Sequence, residues 1–443
     1  MKSLKNIFHQ KRIFFNFNNN TNVLIIIFSI LIGILVSIFA ILFRICFEIL
    51  QIVFYSTSLD KGSTKLEDIP WLIILLVPTL GGLVIGILVY NLMPLKRSTG
   101  IADLMTINSD SNNDYSIITA LKGALINTLS IGVGASVGRE GPIVHIGGVI
   151  GHLFLSKIKN NQNLGPVLIA CGVASAVSAS FSAPIAGIFF AIEIILKKNN
   201  LYVFVLIVIS SVTGSIISRI YFGPGPMFSL EELNFNSFSE IPLFIILGIF
   251  CSIIAIVFIK SLFLFESLYN KNNVPIWFRP AIGGFIVGII AIFAPEILGV
   301  GYYGTNLALT SSIPFWFCMF LIIAKVGATS ICLGSRFGGG VFSPSIFIGA
   351  MLGGCYGIIV NIYFPEFASP IAFYTIIGMG AVAAPILGAP ISTIIISFEL
   401  TGQYEVIIAS IITVSISCLI YKKTKLESFF KIQLYKRNQT EKL

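Results

Sequence analysis

Charge is scarce in this chain: only 11% of its 443 residues are Asp, Glu, Lys or Arg, while 56% are hydrophobic. Mean hydropathy is +0.95, far from soluble averages, which excludes a water-soluble globular domain. Paired cysteines are missing as well. Cys46, Cys171, Cys251, Cys318, Cys332, Cys355 and Cys418 are scattered without a CxxC pair, so they read as small apolar packing residues and imply neither disulfides nor a metal. His145 and His152 have no Cys, His or acid cluster at ligand spacing around them, which argues against a metal site. No small-residue cleavage site follows the first apolar run, so that run is read as a retained helix.

What is present is a series of long apolar runs separated by polar breaks. That pattern predicts an all-α polytopic membrane protein, since a β-barrel would alternate residue by residue in short segments. Spans are expected at about 23–43 (ending near Arg44 and Glu48), 71–90, 201–222, 241–265, 277–294, 313–333 and 406–421. Gly82 and Gly86 are spaced for close helix packing. The membrane domain covers 23–421, between basic tails at 1–22 and 422–443, and no soluble domain is expected after the last span. The net charge of +9 concentrates in those tails, from Lys2, Lys5, Lys11 and Arg12 to Lys422, Lys423, Lys425, Lys431, Lys436, Arg437 and Lys442. By the positive-inside rule both termini are predicted cytoplasmic. Anionic headgroups explain the charge, and no nucleic-acid partner is expected.

Two stretches, about 97–196 and 334–401, break the pattern with Gly, Ser and Pro, and they resemble each other. Pro142, Ile146, Gly147 and Gly151 align with Pro344, Ile348, Gly349 and Gly353 at one constant offset. Gly172, Ala183, Pro184, Ile185, Ile188 and Glu193 align with Gly378, Ala389, Pro390, Ile391, Ile394 and Glu399 at a second. Weakly similar halves with paired broken helices place a binding site at the repeat interface.

The acid that stands out is Glu140, in Gly138-Arg139-Glu140-Gly141-Pro142. A carboxylate inside a membrane is costly and usually faces a pathway. Glycines let backbone amides turn toward a ligand, and Pro142 suits the first turn of a helix. Such a helix start attracts anions, so an anion pathway with Glu140 competing for it is the reading. A structural acid paired with Arg139 is the plainer alternative. An embedded enzyme using Glu140 as acid or base would need a second acid, histidine or metal cluster, which is missing, so no enzyme activity is expected.

These residues also carry a resemblance. Gly138-Arg139-Glu140-Gly141-Pro142 resembles the GREGP signature of the CLC chloride channel and transporter family. Gly339-Gly340-Val341-Phe342-Ser343-Pro344 resembles its GGIFAP stretch, and Ser98-Thr99-Gly100-Ile101-Ala102 its GSGIP stretch. The resemblance implies two inverted-topology repeats, a homodimer with one pore per subunit, and location in the cell membrane. Chloride, and in exchangers also protons, would be transported, with no cofactor. Glu140 takes the place of the gating glutamate, with Arg139 and Gly141 beside it among the anion-binding residues. Thr99 takes that of the anion-contacting serine, beside the amides of Gly100 and Ile101. Val341 and Phe342 contribute amides from the second half, and Phe430 falls nearest the family's central tyrosine.

Three departures accompany it. The GSGIP stretch lacks its first Gly and its Pro, which leaves nitrate or fluoride as alternative anions. Ile194 stands at the inner proton-relay position of family exchangers, with Glu193 one residue earlier, a rotation of about 100° on a helix. Replacement of the relay by water, substitution by Glu193 and loss of coupling all remain open. Phe430 keeps a ring without the hydroxyl. Among the other charges, Glu193 and Glu399 read first as buried structural acids. Arg336 reads as a loop residue or a vestibule charge attracting anions, and Lys325 as snorkelling or paired with a carbonyl.

Overall fold

Inside a bilayer each backbone N–H and C=O needs a partner within the chain, so long apolar runs fold as helices. The computed structural model describes residues 19–60, 66–106, 116–157, 164–196, 200–228, 230, 233 and 235–440. It is helical throughout, and its one β-type pairing among those residues is an isolated antiparallel bridge between Gly138 and Gly340. The first half comprises α1 (Asn19–Tyr55), α2 (Trp71–Leu92), α3 (Ile101–Thr106), α4 (Ile117–Gly132), α5 (Glu140–Leu153), α6 (Gly165–Phe181), α7 (Pro184–Ala191) and α8 (Leu201–Phe222). The second comprises α9 (Ile241–Lys271), α10 (Arg279–Phe293), α11 (Tyr302–Leu309), α12 (Phe315–Gly334), α13 (Phe342–Tyr363), α14 (Ile371–Leu387), α15 (Pro390–Thr401), α16 (Val406–Lys423) and α17 (Phe429–Thr440).

Among the described residues, seven helices are long and apolar enough to cross a membrane: α1, α2, α8, α9, α12, α13 and α16. The chain is a multi-pass membrane protein. The first span does not end near Arg44 and Glu48 as expected. Arg44 Nε donates to Glu48 Oε1 at 2.8 Å, one turn apart, so the two charges neutralise each other on a continuous helix. Within the basic C-terminal segment α17 forms, with Phe429 and Phe430 buried at its start. Most of the first tail, and residues 441–443, lie outside the described residues.

Glycines set the helix spacing where sequence spacing implied it. A Cβ on Gly82 or Gly86 would fall 2.3 Å from Pro280 O or 1.9 Å from Trp277 O, so α2 and α10 touch backbone to backbone. The repeat is built on the same device. A Cβ on Gly147 would lie 2.5 Å from Gly172 O, and one on Gly349 2.3 Å from Gly378 O, closing α5 on α6 and α13 on α14 alike.

Each half then turns and breaks in the same way. Ser182 and Gly388 both end their helices in the left-handed conformation, and Ala183 and Ala389 lead into α7 and α15. Glu193, in a π-helical turn that extends α7 (Ile192–Leu196), accepts from Ile391 N and Ser392 N at 2.9 Å each. Glu399, near the end of α15, accepts from Ile185 N at 3.1 Å and Ala186 N at 2.8 Å. Each acid caps the start of the other helix, where free N–H groups and a partial positive charge favour a carboxylate. Such reciprocal capping requires α7 and α15 to lie antiparallel, so the two halves are inverted copies.

Candidate anion pathway

The two broken stretches meet at the bridge. Gly138 N donates to Gly340 O at 2.7 Å, and Gly340 N returns a bond to Gly138 O at 2.8 Å. Helices α5 and α13 start immediately after it, so two helix N-termini converge on one point in the protein interior. Gly141 and Gly340 touch there: a Cβ on Gly141 would sit 3.4 Å from Gly340 Cα. Gly339, at φ +152°, has a backbone shape open to glycine and lies against Val137. Gly338 N donates to Ser130 Oγ at 3.0 Å, anchoring this loop on α4.

A cavity of about 80 Å³ leads to the junction, lined by Arg97, Ser98, Thr99, Gly100, Ile101, Gly141, Arg336, Phe337, Gly339, Gly340, Phe430 and Gln433, among others. That is room for several waters or a partly hydrated anion. Thus Thr99, Gly100, Ile101, Gly141 and Phe430, drawn from distant parts of the chain, share one space. Val341 and Phe342 sit just behind it as buried residues at the start of α13. The Phe342 ring packs on Phe181 and Phe190, with centroids 4.9 and 5.8 Å apart.

Glu140 lies beyond Gly141, off the cavity and fully buried. Its Oε1 accepts from Tyr302 Oη at 3.0 Å and from the nearby Ser343 Oγ. Arg139 Nε is 3.8 Å from the same oxygen, and the guanidinium donates to Ser180 O at 2.9 Å. The pairing of Arg139 with Glu140 is therefore present, but hydroxyls make the shorter contacts.

Other expected residues sit differently. Gly100 N is already occupied by Asp103 Oδ2 at 2.7 Å, and Asp103 also holds Arg97 through two bonds of 2.9 and 3.2 Å. Thr99 Oγ1 rests over Gly123, 2.5 Å from where a Cβ there would be. Glu193 is not part of the cavity; its oxygens are engaged at α15, and Ile194 is buried. Arg336 lines the cavity and lies 3.8 Å from Glu266. Lys325 is buried and donates to Ile297 O at 2.8 Å and Gly299 O at 3.2 Å, so it pairs with carbonyls.

A family model described as Voltage gated chloride channel matches residues 81–422. The chain belongs to that family. It is 32% identical over 364 residues to a putative chloride channel protein ClcB-like of Ralstonia nicotianae, covering 81% of this chain and 85% of that one. It is 30% identical over 292 residues to the H(+)/Cl(-) exchange transporter ClcA of Salmonella agona, covering 64% and 62%. A slow cyanobacterial Cl⁻/H⁺ antiporter of known structure superposes with a TM-score of 0.82 at 22% identity, over 93% of this chain and 97% of that one. This last likeness concerns the fold.

Within this voltage-gated chloride channel fold, sequence reasoning missed Tyr302, Ser343 and Asp103. Ser343 was within sight, since it stands where the GGIFAP stretch has Ala. Tyr302 lies far from every recognised motif, and only folding brings it to Glu140.

Proposed function

We propose that this chain carries chloride across the cell membrane through the cavity that ends at Gly141 and Gly340, with Glu140 as the gate. The observation that carries this reading is the position of Glu140: a buried carboxylate at the meeting of two helix N-termini, next in sequence to Gly141, which lines the cavity. An ionised carboxylate there competes with an anion for the same positive ends, and protonation or withdrawal would free them. Thr99, the amides of Ile101, Gly141, Val341 and Phe342, and the Phe430 ring supply neutral contacts. Conduction needs binding weak enough to release the ion, which neutral donors provide better than a fixed lysine. Arg139 serves here as a buried positive charge beside the gate.

Chloride is preferred over the nitrate and fluoride alternatives because relatives named for chloride cover most of the chain. Proton exchange is a second reading, supported by the protonatable gate itself. Against a relay through Glu193 stands its full engagement as a helix cap. Basic residues at both ends support cytoplasmic termini, and the resemblance supports a homodimer.

Purified protein in potassium chloride-loaded liposomes tests the proposal. Shunting potassium with an ionophore is expected to release chloride, faster than nitrate or fluoride leave vesicles loaded with their potassium salts, and Glu140→Gln to change the rate at neutral pH. No chloride release would overturn the reading. Proton uptake recorded in the same vesicles under a steep chloride gradient decides between exchange and passive conduction.

A further inference from the structure

Building on the reading of Glu140 as the gate, we propose that Tyr302 and Ser343 form a two-hydroxyl latch that holds the Glu140 carboxylate in the pathway and sets how readily chloride displaces it. The hydroxyls come from separate elements, Tyr302 at the first residue of α11 and Ser343 at the second of α13. They lie 3.2 Å from each other and converge on one atom, Glu140 Oε1. A carboxylate oxygen has lone pairs for both, and bonds to a charged acceptor are stronger than neutral ones. All three groups are buried, where water cannot replace either donor.

The hold is one-sided. Glu140 Oε2 is buried without a partner, beside Gly138, where a Cβ would stand 2.8 Å from it. The carboxylate is thus tethered by one oxygen, and the latch accounts for most of its polar contact. Arg139 contributes only the longer approach of its Nε.

Tyr302 is itself held in place, as a positioning residue must be. Asp60 Oδ1 accepts from Gly301 N at 3.2 Å and Tyr302 N at 3.4 Å. Lys325 pins the preceding turn through Ile297 O and Gly299 O, and its ammonium lies 5.0 Å from the Phe347 ring centroid. The Tyr302 ring packs against the Arg139 guanidinium at 4.9 Å and edge-on against the Phe228 ring at 5.8 Å. Ser343 needs no such support, because the first turn of α13 fixes it. The family's GGIFAP stretch carries Ala at that place, so this hydroxyl is a feature of the present sequence.

The liposome assay tests the latch by comparing two backgrounds. With Glu140 present, Ser343→Ala and Tyr302→Phe are each expected to raise chloride efflux at neutral pH, by roughly tenfold for the loss of one bond to a charged group. In a Glu140→Ala background neither substitution should change the rate. Calorimetric titration of the purified variants with chloride gives a second readout, with tighter binding expected only when Glu140 is present. Unchanged efflux and binding in the first background would overturn the latch, as would equal changes in both, which is what a purely structural role predicts. If Glu140→Ala itself matched wild type, the gate would fall and the latch with it, so the two failures are distinguishable.

Discussion

The two halves of this molecule follow one backbone path with different chemistry at its centre. Gly134 N donates to Ile131 O at 3.1 Å, and its counterpart Arg336 N donates to Leu333 O at 3.3 Å. Ala135 N reaches Ser130 O, and Phe337 N reaches Cys332 O, both at 3.0 Å. Arg139 (φ −84°, ψ −18°) and Val341 (φ −100°, ψ −4°) both lie in the right-handed helical region ahead of α5 and α13. Yet where the first half places Arg139 and Glu140, the second places Val341 and Phe342, and where the first has Gly141 the second has Ser343. Duplicated backbone supplies two helix N-termini; unduplicated side chains make one of them a gate and the other its wall and latch.

Substitutions that strike the shared backbone should hurt both halves equally and most. Gly172→Ala and Gly378→Ala would drive a methyl to within 1.9 Å of Gly147 O and 2.3 Å of Gly349 O. Each is expected to cost about 3 kcal/mol or abolish folding, read as thermal unfolding in detergent. A marked inequality would show that one helix pair is more plastic than its copy.

The reciprocal caps come next. Glu193→Ala and Glu399→Ala each remove the acceptor of two helix-start N–H groups, and both are expected to lose about 2 kcal/mol of stability. Glu193→Gln should leave the ratio of proton to chloride flux unchanged; a fall seen for Glu193 and not for Glu399→Gln would give Glu193 a proton-carrying role and break the symmetry.

Arg336 offers a sharper contrast. It adopts φ +79° where its counterpart Gly134 adopts φ +86°, a left-handed conformation that glycine takes freely and a branched-off Cβ disfavours. Arg336→Gly is therefore expected to stabilise the fold by about 1 kcal/mol while slowing chloride efflux a few-fold at low ionic strength, with the deficit shrinking as salt rises. Slower unfolding with unchanged efflux would reduce Arg336 to a structural partner of Glu266.

The smallest effect belongs to Thr99→Ser. It removes one methyl and keeps the hydroxyl over Gly123, so efflux should change less than about twofold, on the scale of a modest packing change. Thr99→Ala, which deletes the donor, should reduce efflux further. Equal rates for the two variants would remove the Thr99 hydroxyl from the anion's contacts.

Much of this was legible in the residues. The repeat, the close packing at Gly82 and Gly86, and Glu140 among glycines at a helix start follow from spacing, and the grouping of Thr99, Gly141 and Phe430 from the family resemblance. Arg44 and Glu48 were misread as the end of a span because a pair of opposite charges one turn apart cancels, which a hydropathy scan counts as two separate costs. Phe430 is legible through the resemblance, whereas the helix α17 that carries it, with Phe429 buried beside it, is not signalled by a segment rich in lysine.

Composition and order alone determine that the chain lives in a bilayer, folds as helices in two related halves, and carries one acid among glycines at a helix start. Those outcomes are local or periodic: apolar length, backbone hydrogen bonding in lipid, and the residues a helix start accepts. Tertiary structure decided which groups meet that acid. Tyr302 lies 162 positions from Glu140 and Ser343 lies 203 positions from it, and Glu193 and Glu399 are each spent on the other half's helix. Hydrogen bonds act over about 3 Å, and only the packing of the two inverted halves brings such distant groups that close.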